Sequence, residues 1–172
     1  MERTHGEISV HASAAGASDA LVERVRERVC RVVRELGAPV ARVHVQVVDD
    51  GTMARLHLTH SGLAGTTDVL TFPASVAPAS IDVDIAVCLD EARRRADEFG
   101  HDVDRELVLY VLHGLLHCAG HDDHEPDAFA RMHAEEDRIL QAAGIGATFR
   151  PGTEDKRASA VSGSMSSGSE QV

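Results

Sequence analysis

The sequence predicts a mixed α/β layer fold in one domain, and three observations carry that prediction. Stretches with strand periodicity interleave with stretches of helical periodicity along the chain. The 172 residues allow one domain with a real core. Hydrophobic content of 43% is ordinary for a globular protein, and no apolar run approaches the roughly 20 residues of a membrane helix.

Taken in order, residues 7–12 alternate through Ile8 and Val10 as a short first strand. Ser18 is placed to cap a helix over 19–36, whose Leu21, Val22, Val25, Val29, Val32, Val33 and Leu36 form an apolar stripe that Gly37 closes. A strand over 42–48 puts Val43, Val45 and Val47 on one face. Asp50 and Gly51 turn into a short helix near 52–60, and 61–67 is a loop of small residues. Residues 68–72 read as a strand that Pro73 ends, and 74–80 as a loop. Ile81, Val83, Ile85 and Val87 alternate with Asp82, Asp84, Ala86 and Cys88, a strand with one polar-leaning face. Asp90 is expected to cap a charged helix over 91–99 that Gly100 closes. Its Arg93, Arg94 and Arg95 are most simply a solvated face, with a phosphate contact as the alternative.

Asp102 or Asp104 caps the next helix, almost wholly apolar from Leu107 to Leu116. A last helix starts at Pro126 and runs through Phe129, Met132, Glu136, Ile139, Leu140 and Ala143 to Gly144. From Pro151 the composition turns to Ser, Gly and Glu, with almost no large apolar side chain to offset ordering entropy. Residues 1–148 are therefore the expected domain, and 149–172 a disordered tail.

Seventeen basic against 28 acidic residues leave a net charge of −11, which argues against whole-surface binding to nucleic acid but not against a local groove. Cys30, Cys88 and Cys118 have no paired spacing, and the first seven residues lack an apolar signal region. Reduced thiols and a cytoplasmic location are the expectation.

The chemistry concentrates in residues 113–124, which hold four of the eleven histidines. His113 and His117 are four apart, so on a helix they share a face and can reach one metal ion. Two unpaired imidazoles in an apolar helix would be costly. Gly120 can end the helix, and the returning chain can bring a third ligand over the pair. Asp123 is the first candidate, with His124 and His121 as competitors. Asp122 can orient a ligand imidazole or make turn hydrogen bonds. Cys118 points elsewhere than its neighbour His117 and is not counted as a ligand. Three protein ligands and an open position make a catalytic zinc, which lowers the pKa of bound water to about 7 and polarises a phosphoryl or carbonyl oxygen. Zinc proteases with the HExxH pattern carry a glutamate after the first histidine; Gly114 stands there, so that base is missing and a peptide hydrolase is disfavoured. The glycine leaves room for a neighbouring backbone or a bulky substrate near the metal.

These residues resemble the YbeY endoribonucleases, the rRNA maturation factors, whose signature is H-G-x-L-H-x-x-G-x-D-H. The run from His113 through Asp122 is similar to it, with Asp123 where the third histidine falls. The segment from Thr67 to Pro73 resembles the family's T-D-V-L-S-F-P strand, and Val83-Asp84-Ile85 resembles its G-D-I except at the glycine. Glu91-Ala92, Gly100-His101, Arg105-Glu106-Leu107, Met132 and Glu135-Glu136 extend the likeness, which runs from about residue 40 to 144.

The resemblance implies an α+β, zincin-like fold, a small mixed sheet covered by helices with a central metal-binding helix, and one Zn2+. It implies cleavage of single-stranded rRNA in small-subunit 3′-end maturation and ribosome quality control, with the small subunit and its proteins as partners. His113 and His117 carry over as ligands; Asp123 carries over as a position, with His124 as the alternative third ligand. Two departures stand out. The position of a family arginine thought to serve cleavage is Ser61, with Arg55 near it in sequence only. Asp123 makes the site more anionic than a third histidine would. A second reading, a non-catalytic ribosome assembly factor stabilised by its metal, follows from those departures.

Overall fold

The computed structural model describes residues 6–146. Its elements run β1 (Glu7–Ala12), α1 (Asp19–Glu35), β2 (Val40–Val48), α2 (Asp50–Ser61), β3 (Val69–Ser75), β4 (Ile81–Cys88), α3 (Leu89–Phe99), α4 (Val103–Cys118) and α5 (Pro126–Ala142). The fold is α+β, with one four-stranded sheet in the order β1-β2-β4-β3. The first three of these are parallel and β3 is antiparallel to β4. The tail assigned to 149–172 lies outside the described residues.

Strand alternation gives the sheet two different faces. Val10, Val45 and Ile85 are in register on one face, together with Val43, Val47, Val83 and Val87, all buried. This face and the apolar stripe of α1 join α4 and α5 in the main core. The other face is divided. Val48, Ala86 and Cys88 pack with Met53 of α2, Leu70 and Phe72. Beyond them Arg42 reaches Asp82 at 2.7 Å and Asp84 at 2.8 Å. The alternating aspartates of β4 thus occupy the solvent-facing half, and α2 covers the rest.

α4 is the hub. Residues 107–116 are buried without interruption, so the helix is enclosed on every side.

Two expectations are corrected, and a third, the cap of α4, is met in position but not by a side-chain bond. Pro73 does not end β3, which continues to Ser75 with an irregularity after the proline. β3 is an edge strand, where a residue without an N–H is tolerated. Asp90 does not cap α3. That helix begins at Leu89 with Cys88 at the cap, and Asp90 instead accepts the Asp50 N–H at 2.9 Å. Asp102 stands at the cap position of α4 but makes no side-chain cap bond, and Asp104 is buried against Arg28 at 3.1 Å. The three arginines of α3 are engaged by carboxylates; Arg94 holds Asp50 at 2.7 Å and Glu91 at 2.8 Å. The three cysteines are free thiols. Among the described residues no helix is long and apolar enough to cross a membrane.

Candidate metal centre

Helix α4 carries both histidines at its C-terminal end, and its closeness to β3 depends on Gly114. A Cβ at that position would lie 2.5 Å from Thr71 Oγ1. The room left by the glycine is therefore filled by an edge-strand side chain. The helix then stops in a glycine motif. Gly120 N–H bonds to His117 O at 3.1 Å and His121 N–H to Leu116 O at 3.0 Å, with Gly120 at φ +99°. Only a residue at ease in that region makes this reversal without strain. The reversal carries Asp123 back over the histidines.

Three donor atoms converge. His113 Nε2 and His117 Nε2 are 3.2 Å apart, and Asp123 Oδ2 lies 3.6 Å from the first and 3.7 Å from the second. A single point about 2 Å from all three atoms exists inside such a triangle, which is the length of zinc–nitrogen and zinc–carboxylate bonds.

The far side of each ring fixes its chemistry. His113 Nδ1–H donates to Glu136 Oε1 at 2.9 Å, and His133 Nδ1–H donates to Glu136 Oε2 at 2.6 Å. His117 Nδ1–H donates to the His121 carbonyl at 3.2 Å. Carbonyls and ionised carboxylates only accept, so each Nδ1 bears the hydrogen and each neutral ring turns a bare Nε2 lone pair inward. Two lone pairs at 3.2 Å beside a carboxylate repel one another unless a cation lies among them. The residues present fit a metal ion on this count.

Titration agrees with that picture. Burial opposes ionisation of Glu136, but the His113 and His133 donors outweigh it and hold its pKa down at about 2. Burial would depress His113 as well; the Glu136 carboxylate, with Asp68 and Asp123, reverses this and raises it above the ordinary 6.5. His117 is lowered, by burial first and then by the charge of His113. The carboxylates that favour a positive charge at His113 would favour a metal ion in the same place.

The other sequence candidates are placed differently. His124 is exposed and its ring bonds to Asp122, with Nδ1 3.8 Å from Asp123 Oδ1. His121 contributes its backbone carbonyl to His117. Asp122 is exposed and accepts the N–H groups of Asp123 at 2.8 Å and His124 at 3.2 Å. Its role is the turn, and the carboxylate that orients a cluster imidazole is Glu136. Glu136 and His133 were missed as site residues. The available signal was a carboxylate inside the apolar stripe of α5, which burial would penalise without partners. Cys118 is buried, and burial raises its thiol pKa. Ser61 ends α2 and donates to the His57 carbonyl at 2.6 Å. Arg55 turns to Thr52 Oγ1, at 2.9 Å, near the start of that helix.

Comparison with known proteins places this arrangement in a family. The model of the family described as Endoribonuclease YbeY matches residues 7–144. The chain is 36% identical over 144 residues to the Endoribonuclease YbeY of Frankia casuarinae, covering 75% of this chain and 71% of that one. It is 36% identical over 135 residues to the protein of that name from Symbiobacterium thermophilum, with 73% and 86% covered. To that of a Roseiflexus species it is 34% identical over 154 residues, with 84% and 95% covered. Among solved structures, the solution structure of TM1509 from Thermotoga maritima superposes with a TM-score of 0.54 at 25% identity, covering 85% of this chain and 99% of that one. A histidine pair on a buried helix, a carboxylate closing over it and a match spanning nearly all of the described residues lead to one conclusion: the chain belongs to the YbeY endoribonuclease family, hydrolases that act on RNA.

Proposed function

We propose that this chain is a zinc-dependent endoribonuclease specific for single strands. It acts in the cytoplasm, in 3′-end maturation of small-subunit rRNA and in ribosome quality control. The observation that carries the zinc assignment is the triangle of His113 Nε2, His117 Nε2 and Asp123 Oδ2, with inner edges of 3.2, 3.6 and 3.7 Å. These three residues are the ligands in this reading. Held by them, zinc would supply a Lewis acid for phosphoryl oxygen and would make water more acidic.

The chain's own groups do the rest. Glu136 keeps His113 aimed with its hydrogen on Nδ1, and the His121 carbonyl does the same for His117. His113 is buried, whereas the His117 side chain is 22% exposed, so RNA approaches from the side of His117 and the 121–124 loop. Asp123 and Asp122 make that mouth anionic. That mouth does not attract a phosphodiester by its own charge, so the attraction would fall to the ion that His113, His117 and Asp123 would hold.

The test uses purified full-length chain, a single-stranded RNA carrying the 3′ end of the small-subunit rRNA precursor, and the same sequence as a duplex. Zinc-loaded protein should cut the single strand, and His117→Ala should lose cutting while keeping its circular dichroism. Undiminished cleavage by metal-free protein would reject the proposal. The assembly-factor reading is favoured by one feature, the hydroxyl of Ser61 tied to the His57 carbonyl where a guanidinium would serve cleavage. On that reading chelation lowers the melting temperature and the RNA remains uncut by either form.

A further inference from the structure

We infer that His133 is a positioning residue for the metal centre, acting through Glu136 to hold His113 in the tautomer and ring orientation a cation needs. The inference rests on reading the His113, His117 and Asp123 cluster as a metal site, but not on RNA cleavage. Glu136 spans two imidazoles, one on each oxygen: His113 at 2.9 Å and His133 at 2.6 Å. All three side chains are buried.

A carboxylate held by one donor keeps the broad terminal torsion of glutamate, and its second oxygen can swing away from the ring it orients. The donor on Oε2 removes that freedom. His133 sits one turn before Glu136 on α5, so the helix itself sets the spacing. Phe129, a further turn back, meets the His133 ring edge-on at 4.1 Å and 70°, which fixes its plane. The order of support is Phe129, His133, Glu136, His113, and only the last reaches the cluster. Nothing in that order requires His133 to touch metal or substrate.

A structural role alone would make a different pattern. If His133 merely satisfies a buried carboxylate, its loss weakens the fold and leaves metal affinity alone. Three full-length variants separate the two. His133→Phe keeps a flat ring without the donor. His133→Asn retains an amide donor near the Nδ1 position, and His133→Gln moves that donor out to the Nε2 position.

Zinc affinity is measured by competition with a chromophoric chelator, and the metal-free proteins are melted in parallel. His133→Phe should weaken zinc roughly 10–100-fold. His133→Asn should stay within a few-fold of the parent, and His133→Gln should fall between them. In nitrogen-resolved NMR of the metal-free protein, the His113 ring should be an Nδ1–H tautomer in the parent and lose that single state in His133→Phe. Equal zinc affinities across the series with lowered melting temperatures would overturn the inference and leave His133 a packing residue. Should His133→Phe fail to fold, the Asn–Gln comparison decides: Gln binding zinc as tightly as Asn overturns it. A parent chain that takes up no zinc would overturn this inference and the metal reading together, whereas zinc uptake without RNA cleavage would overturn the proposed activity alone.

Discussion

The two histidines of the cluster are the same residue one helical turn apart, and they are shifted in opposite directions. Burial acts on both, yet His113 is raised and His117 lowered. The difference is what lies behind each ring. His113 backs onto an ionised carboxylate that is itself held by a second imidazole, whereas His117 backs onto one carbonyl. The inner half of the site is buried and its hydrogen bonds are matched. The outer half, with His117 partly open and Asp122 and His124 each 58% exposed, is wet. On the proposed reading the inner half holds a cation, and the outer half lets substrate reach it.

The sharpest break in that comparison is removal of an inner ligand. His113→Ala should abolish stoichiometric zinc, read by elemental analysis, and with it RNA cleavage. His124→Ala, at the outer rim, should keep both. Zinc retained by His113→Ala would show that the inner half is not the holder.

The next largest effect is on acid stability. Glu136 has a folded pKa of about 2 against an ordinary 4.5. A depressed carboxylate pKa stabilises the fold above the unfolded value, and that stability is lost as pH falls from about 4.5 towards 2. At neutral pH the shift corresponds to something on the order of 3 kcal/mol. Metal-free Glu136→Gln should therefore melt lower at pH 7 and lose part of the steep acid limb seen in the parent. Parallel acid limbs in urea titrations from pH 6 to 3 would contradict the arrangement.

Gly114 tests how α4 is held on the sheet. Gly114→Ala puts a Cβ 2.5 Å from Thr71 Oγ1. Overpacking of this kind costs about 1–3 kcal/mol, more than the roughly 1 kcal/mol that alanine gains over glycine inside a helix. Thermal unfolding should show a net loss, and the added change Thr71→Ala should recover most of it. Independent, additive losses would mean that the two residues do not press on each other.

The sequence made most of this legible where periodicity or glycine chemistry governs. The α1 stripe, the alternation of β4 and the stop at Gly120 follow from local rules and stand as read. The cap of α3 and the end of β3 at Pro73 were misread because tertiary partners and edge position, not local preference, decided them, whereas Ser18 caps α1 as expected. Asp90 is the example, drawn away from capping by the Asp50 N–H forty residues earlier. The motif showed which histidines face one another. It could not show what stands behind them, because Glu136 and His133 reach the cluster from another helix and obey no spacing relative to His113. The path of the turn after Gly120 likewise decides that Asp123, rather than His124 or His121, closes the triangle, and no local spacing rule dictates that path.

The smallest expected effect is at the outer rim. Asp122 is the loop residue whose side chain accepts the N–H groups of both Asp123 and His124, and its pKa is lowered chiefly by the His124 ring. In Asp122→Ala the exposed His124 N–H can turn to water and only the part-buried Asp123 N–H loses its partner, so the metal-free melting temperature should fall only slightly. Asp123 itself stays buried, and the Gly120 reversal that delivers it rests on backbone bonds and on the His117 ring at the His121 carbonyl, none of which uses Asp122. Zinc affinity should accordingly fall by no more than a few-fold, well short of the change expected for an orienting carboxylate. A loss as large as that of His133→Phe in the same chelator competition would show the loop carboxylate to be as necessary as the buried one, and the distinction between a holding half and an admitting half would collapse.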